Sequence, residues 1–67
     1  MENTKKLYGI EITARAYTRE DGTVRIEFRG KNSRSKAIWD AHTRQWIKIS
    51  DQFPWNIRSA IQEAWAL

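Results

Sequence analysis

The sequence predicts an α+β fold in which a four-stranded antiparallel sheet, made of two hairpins, carries one C-terminal helix on one face. Two segments before residue 30 alternate polar and apolar residues, as half-buried strands do. A third segment, KAIWDAHTRQWIKIS, places a polar turn between two short apolar runs. Apolar residues after the single proline recur at helical spacing. We therefore expect a flexible tail at residues 1–6 and a single ββββα domain at residues 7–67.

The first hairpin is predicted to turn through a three-residue loop, Glu20–Gly22. Directly opposed residues of an antiparallel pair share a face. A two-residue loop at 21–22 would oppose Ile26 to Tyr17 and mix the faces, whereas the three-residue loop opposes Ile26 to Ala16, both apolar. A glycine suits the left-handed last position of such a loop. The same register opposes Arg15 to Glu27 and, further along, Glu11 to Lys31. The charged segment that follows, 30–36, has no apolar residue and is predicted to be a mobile loop.

The second hairpin is predicted to close a four-residue loop between Asp40 and Gln45. In a regular ladder, Ile38 then opposes Ile47, and the two tryptophans oppose one another. Two placements stay open for the tryptophan pair. If it faces the core, Lys48 is drawn inside as well, which is costly unless that ammonium is paired. We favour the outer face for the tryptophans.

The helix is expected to begin near Pro54, because proline is tolerated only in a first turn, and Ser50 or Asp51 can cap it. Trp55 lies off the apolar stripe and is predicted to cover a sheet edge or to serve a dimer contact. The stripe consists of Ile57, Ala60, Ile61, Ala64 and Trp65. The sheet face that this helix covers is predicted to hold Ile10, Ile12, Ala14, Val24, Ile26, Phe28, Ile38, Ile47 and Ile49.

Composition excludes several classes of function. The 67 residues include no cysteine and one histidine, so disulfides, thiol nucleophiles and Cys- or His-rich metal sites are not expected. No nucleophile has a matching base, and no glycine-rich phosphate loop occurs, so we expect neither an enzyme nor a cofactor. No apolar run is long enough to span a membrane, and the N-terminus does not resemble a secretory signal. A cytoplasmic protein is the expectation.

The net charge of +4 favours an acidic partner, and the uncovered sheet face is the predicted contact. Aromatic rings there would stack on bases while basic groups meet phosphates, as in proteins that bind single-stranded nucleic acid. We predict binding of single-stranded DNA or RNA, in transcription or replication. The candidate residues are Arg15, Tyr17, Arg25, Arg29, Lys31, Arg34, Lys36, Trp39, Trp46 and Lys48.

Other interpretations of this face remain open. Any sheet with one covered face shows polar residues on the other, and a cross-strand tryptophan pair can simply stabilise a hairpin. Aromatic and arginine residues also anchor protein interfaces, so a phage- or plasmid-encoded inhibitor docking on an acidic host protein is the alternative function. A sheet that reads double-stranded DNA, of the integrase-arm type, is a third interpretation.

The segment WIKIS, followed by a helix with Trp55 and Ile61, resembles the transcriptional-coactivator family of single-stranded-DNA-binding proteins. The resemblance covers residues 46–63, where that family has a lysine-glycine-isoleucine-serine strand end before a helix with a tryptophan near its start. This chain has Trp46-Ile47 in place of the lysine-glycine pair, and Arg58 at an apolar helix position. The resemblance implies a homodimer, joined partly through the C-terminal helices, that holds single strands on its sheets.

Overall fold

The computed structural model describes residues 2–31, 35–50, 53–54 and 56–67 and confirms the α+β class. One antiparallel sheet holds five strands, rather than the predicted four, in chain order. A single helix follows the sheet in the chain. The elements are β1 (Glu2–Leu7), β2 (Ile10–Thr18), β3 (Val24–Arg29), β4 (Lys36–Asp40), β5 (Gln45–Ile49) and α1 (Ile57–Ala64).

The additional strand is β1, so the prediction of a flexible tail at residues 1–6 is wrong over Glu2–Lys6. Leu7 pairs with Ile10, which leaves a two-residue turn at Tyr8 and Gly9. Both turn residues have positive φ angles, 51° and 75°, as the tight turns that match the twist of a hairpin require. An edge strand can be almost entirely polar, and lysines there discourage pairing with another chain. Its composition therefore resembles that of a tail.

The predicted register of the β2–β3 hairpin is confirmed over Thr13–Thr18, but the ladder ends at Arg29, so the predicted pair Glu11–Lys31 lies beyond it. Ala16 lies opposite Ile26, and Ala14 lies opposite Phe28. The loop closes at Arg19 and Thr23, whose backbones are hydrogen-bonded at 2.8 Å, and Gly22 has the expected positive φ of 86°. The three-residue loop, the apolar pairing and the glycine therefore agree with one another.

A β-bulge in β5 determines which side chains face the core. Trp39 lies opposite Trp46, as predicted, but Ile38 lies opposite Lys48, so Ile47 is an extra residue without a partner. The predicted pairing of Ile38 with Ile47 is therefore wrong. A bulge places two residues of one strand against one of its neighbour, which changes the alternation along the bulged strand. Trp46 can thus face the helix while Lys48 stays on the opposite side.

The core lies between one sheet face and α1, and both tryptophans that we expected outside face it. Trp39 is only 6% exposed and Trp46 is half-buried against the core, so the predicted outer placement of the pair is wrong. Ile47 and Val24, the first residue of β3, were both predicted to be covered by the helix, but they are 48% and 39% exposed. Ala37 occupies the inward position expected for Ile38. The buried apolar residues are Ile12, Ala14, Phe28, Ala37, Trp39, Phe53, Ile57 and Ile61.

The helix packs through the predicted stripe, with Ile57 and Ile61 buried. It begins three residues after Pro54 with Asn56 at its N-cap, so the predicted cap at Ser50 is wrong. The predictions for Asp51 and Trp55 lie outside the described residues. No helix in the described ranges is long and apolar enough to cross a membrane.

The last turn of the helix is tied to the first strand. The ammonium of Lys5 donates a hydrogen bond to the carbonyl oxygen of Ala64 and lies 5.3 Å from the ring centroid of Trp65. A cation is favourable there because the carbonyls at a helix C-terminus carry partial negative charge. Trp65 in turn meets Phe28 edge to face at 5.1 Å. These contacts fix the helix across the sheet.

Candidate nucleic-acid interface

The sheet side opposite the helix is called the outer face here, and the strand register orders its side chains in rows. Cross-strand neighbours share a face, so each row can be followed from strand to strand. The central row is basic at β2 and β5, acidic at β3 and apolar at β4. It runs Glu2, Arg15, Glu27, Ile38 and Lys48, from β1 to β5.

Two further rows flank the central one. On one side, Arg29 and Lys36 are neighbours on β3 and β4, next to the hydroxyls of Thr4 and Thr13, which are hydrogen-bonded at 2.9 Å. On the other side, the row consists of Tyr17, Arg25, Asp40 and Gln45. Basic side chains therefore come from each of the strands β2 to β5.

Glu27 organises the middle of the outer face. Its carboxylate accepts a hydrogen bond from Nε of Arg29 at 2.7 Å and lies 3.5 Å from Nζ of Lys36. Arg15 lies directly across from Glu27, as predicted, but the ion pairs of that carboxylate are with Arg29 and Lys36. Two of the cations on this face are therefore partly neutralised.

A second acidic group, Asp40, joins the outer face to the β4–β5 turn. Burial alone would raise the pKa of Asp40, but the backbone N–H groups of His42 and Thr43 and the charge of Arg25 outweigh it and lower that pKa. The N–H bonds measure 2.8 and 3.3 Å, and Nε of Arg25 lies 3.8 Å from the carboxylate. Asp40 thus holds both the turn and the position of Arg25.

The other described cations of the outer face and its corner have no carboxylate partner. In the described part of the chain, Lys6, Arg15, Lys31 and Lys48 form no ion pair. Arg15 borders an open cleft of about 310 Å³ on the outer face. The cleft is lined by Glu2, Thr13, Arg15, Glu27, Arg29 and Gly30.

The structure brings most of the predicted site residues together. Six of them share the outer face, and Lys31 lies at its corner beside Lys6 and Glu11. Arg34 lies outside the described residues. The two tryptophans lie on the opposite face, in or against the core. The outer-face set is Arg15, Tyr17, Arg25, Arg29, Lys36 and Lys48.

Lys6 and Ile38 are outer-face residues that were not predicted from the sequence. Lys6 was not predicted because strand β1 was not predicted. The glycine at position 9, which follows a tyrosine and precedes an alternating run, could have indicated a turn with a strand before it. Ile38 was assigned to the core because an apolar residue in a strand is usually placed there. It is half-buried beside Lys48.

The tryptophans are held by specific contacts on the helix side. Trp46 meets Phe28 at a centroid distance of 5.7 Å, and its indole N–H donates a hydrogen bond of 3.2 Å to the side-chain oxygen of Gln62. Stacking on a base would require Trp46 to give up both contacts. Tyr17, 37% exposed, is the aromatic residue that remains on the described outer face.

Comparison with known proteins adds no assignment, since no protein-family model, no curated protein and no solved structure matches this chain. The resemblance to the transcriptional-coactivator family therefore stays a prediction. Within the described ranges, no three His, Asp or Glu side chains are grouped as a metal ion would need.

Proposed function

We propose that this protein is a non-enzymatic nucleic-acid-binding protein whose outer face contacts backbone phosphates. The observation that carries the proposal is the arrangement of basic side chains from four adjacent strands on one open sheet face, with Arg15 and Lys48 unpaired. Arginine and lysine on such a surface attract phosphates without reading sequence. We expect low sequence specificity, because side-chain amides are among the groups that read base edges, and Gln45 is the one side-chain amide on the described part of the outer face.

The burial of the tryptophans changes the mechanism that we expected from the sequence. Base stacking by Trp39 and Trp46 has no support when both indoles pack on the helix side. Affinity must then come mainly from charge, and counterion release makes such affinity strongly dependent on salt. Tyr17 offers a single ring at one edge of the basic rows.

The direct test is fluorescence anisotropy with end-labelled 20-residue DNA strands, alone and annealed, at about 50 and 200 mM salt. We expect binding at the lower salt that weakens steeply at the higher salt, with little change in tryptophan emission because the indoles stay packed. Absence of binding to every probe at the lower salt would contradict the proposal.

An acidic protein partner is the second candidate, and one observation favours it. Ile47 is 48% exposed beside Lys48, and half-buried Ile38 lies across from that lysine on the neighbouring strand. Apolar contact next to positive charge suits a protein surface better than a phosphate backbone. An Ile47→Ser variant that keeps its nucleic-acid affinity but loses capture of a purified acidic partner would favour this second function.

The homodimer implied by the family resemblance is not part of the proposal. The two buried residues of the apolar stripe of α1, Ile57 and Ile61, pack within the chain. The opposite side of the helix exposes Arg58, Ser59 and Glu63, which offer no apolar surface for a second copy.

A further inference from the structure

We infer that the outer face recognises double-stranded rather than single-stranded nucleic acid, with Arg15 and Lys48 contacting the two backbones on either side of a groove. This inference rests on the proposed function and adds the class of ligand. It follows from the positions of Arg15 and Lys48, from the acidic and apolar side chains between them, and from the packing of the tryptophans on the opposite side of the sheet.

Two cations of the central row, Arg15 and Lys48, form no ion pair among the described residues and are well separated. In the central row, Arg15 on β2 and Lys48 on β5 are separated by β3 and β4, and Glu2 on β1 lies beyond Arg15. Neighbouring strands are about 4.8 Å apart, so the backbones that carry these side chains lie about 14 Å apart. The major groove of B-form DNA is about 12 Å wide. Two extended basic side chains at this separation can reach phosphates on opposite sides of that groove.

The side chains between Arg15 and Lys48 are acidic and apolar rather than basic. Glu27 and Ile38 occupy the middle of the row, and the carboxylate already holds Arg29 at 2.7 Å and Lys36 at 3.5 Å. A single strand crossing the sheet would pass its phosphates over this acidic and apolar middle. A duplex would place its open groove over this middle and bring its phosphates to Arg15 and Lys48. The charge pattern therefore fits two separated backbones better than one continuous track.

The outer face has no tryptophan among its described residues on which bases could stack. Proteins that bind single strands place aromatic rings under successive bases. Here Trp39 is buried, Trp46 is bonded to Gln62, and Trp65 packs on Phe28. A surface that relies on charge favours the ligand with the higher charge density. A duplex carries one negative charge per about 1.7 Å and releases more counterions per contact than a single strand.

The sheet is too wide to enter the groove that it spans. A major groove admits a helix or a two-stranded ribbon, whereas the basic rows extend over four strands. Base edges would therefore stay largely beyond reach. The inferred complex is one of backbone contact with little discrimination between sequences.

The experiment compares a labelled 20-base-pair DNA duplex with each of its two strands, by anisotropy, over a series of salt concentrations. We expect the duplex to bind about tenfold more tightly than either strand, with the steeper salt dependence. If a single strand binds as tightly as the duplex, this inference is overturned while the proposed function stands. If neither probe binds, the proposed function fails as well.

A pair of variants tests the two named contacts. Removing both side chains, in Arg15→Ala/Lys48→Ala, should flatten the slope of log affinity against log salt for the duplex by about 1.8, or 0.9 for each lost phosphate contact. The control is Arg58→Ala, which removes an exposed cation on the helix side and should leave the slope unchanged. Circular dichroism checks that each variant is folded. An unchanged slope in the double variant, or an equal change in the Arg58→Ala control, would overturn the proposed contacts of Arg15 and Lys48 with phosphates.

Discussion

The indole of Trp46 meets the indole of Trp39 edge to face, with ring centroids 5.1 Å apart and planes inclined by 74°. Both rings lie on the helix side of the sheet, where Phe28 extends the cluster toward Trp65. Aromatic pairs in this geometry stabilise a fold beyond the area that they bury. The pair is therefore part of the core, which a chain of 67 residues needs because so small a domain has little apolar surface to bury.

Truncating the buried member of this pair should be severely destabilising. We expect Trp39→Ala to lower the free energy of unfolding by about 3–5 kcal/mol, because it leaves a cavity beside Trp46. Urea titration followed by circular dichroism measures the loss, and the milder Trp39→Phe provides a folded intermediate if the alanine variant is unfolded. The control is the exposed Ile47→Ala, expected to change stability by no more than about 0.5 kcal/mol. Equal losses in the two alanine variants would contradict the core role of Trp39.

Deleting Ile47 should leave the fold intact. Without this extra residue, Trp46, Lys48 and Ile49 would alternate regularly against β4, with the same side chains facing the helix as before. Deleting Glu27 from the regular strand β3 is the control. There the deletion moves every following side chain of the strand to the other face. Cooperative thermal unfolding is expected when Ile47 is deleted and not when Glu27 is deleted. Loss of folding on deletion of Ile47 would contradict its assignment as the extra residue of a bulge.

Replacing Gly30 should strain the junction between β3 and the following loop. A Cβ atom at this position would lie 2.6 Å from Cβ of Ser35 and 3.0 Å from a ring carbon of Phe53. We expect Gly30→Ala to cost about 1–3 kcal/mol, the usual range for overpacking. Thermal unfolding measures it. The control is Gly22→Asn, because position 22 has open space and asparagine tolerates its positive φ.

Acid should remove a contribution that Asp40 makes to stability. Its pKa in the folded protein lies below the ordinary value of 3.8, so the carboxylate stabilises the fold above that pH. The contribution is lost as the pH falls below 3.8 and through the lower folded-state pKa. In Asp40→Asn the amide oxygen can still accept the N–H bonds of the turn, and unfolding should depend less on pH in this range. The carboxyl-carbon chemical shift of Asp40 gives the pKa directly, and a midpoint at or above 3.8 would contradict the prediction.

Neutralising Glu27 should strengthen nucleic-acid binding. Glu27→Gln removes the negative charge that Arg29 and Lys36 share, and it frees both cations for phosphates. We expect tighter binding and a salt slope steeper by about 0.9 to 1.8, for one or two added contacts. Glu63→Gln, on the exposed side of the helix, makes the same change in net charge and is the control. An equal gain in both variants would show that only net charge matters.

The sequence predicted the β2–β3 hairpin well because several signals there agree. Parity, loop length and Gly22 each select the same register, and β2 and β3 alternate without interruption. The helix stripe was likewise predictable, since Ile57 and Ile61 fall one turn apart. Where periodicity is regular, side-chain faces can be read from the sequence.

The tryptophan placement could not be predicted because one residue changes the alternation. A regular ladder forces Trp46 and Lys48 onto the same face, and burying the lysine looked too costly. The bulge at Ile47 places Trp46 and Lys48 on opposite faces, so that the tryptophan is buried without the lysine. The residue types around Ile47 do not indicate a bulge. Strand β1 was missed for another reason: an edge strand needs little apolar surface, so ENTKKL does not show the alternation of a half-buried strand.

The order of the strands has a consequence for how the chain folds. Each strand pairs with its neighbour in the sequence, so the sheet can be assembled one hairpin at a time through short loop closures. Topologies dominated by such local contacts fold quickly. The contact that joins the two ends of the chain, Lys5 with Ala64, involves the helix. We expect the helix to dock on a sheet that is already largely paired, and its arrival to complete the apolar cluster around Phe28.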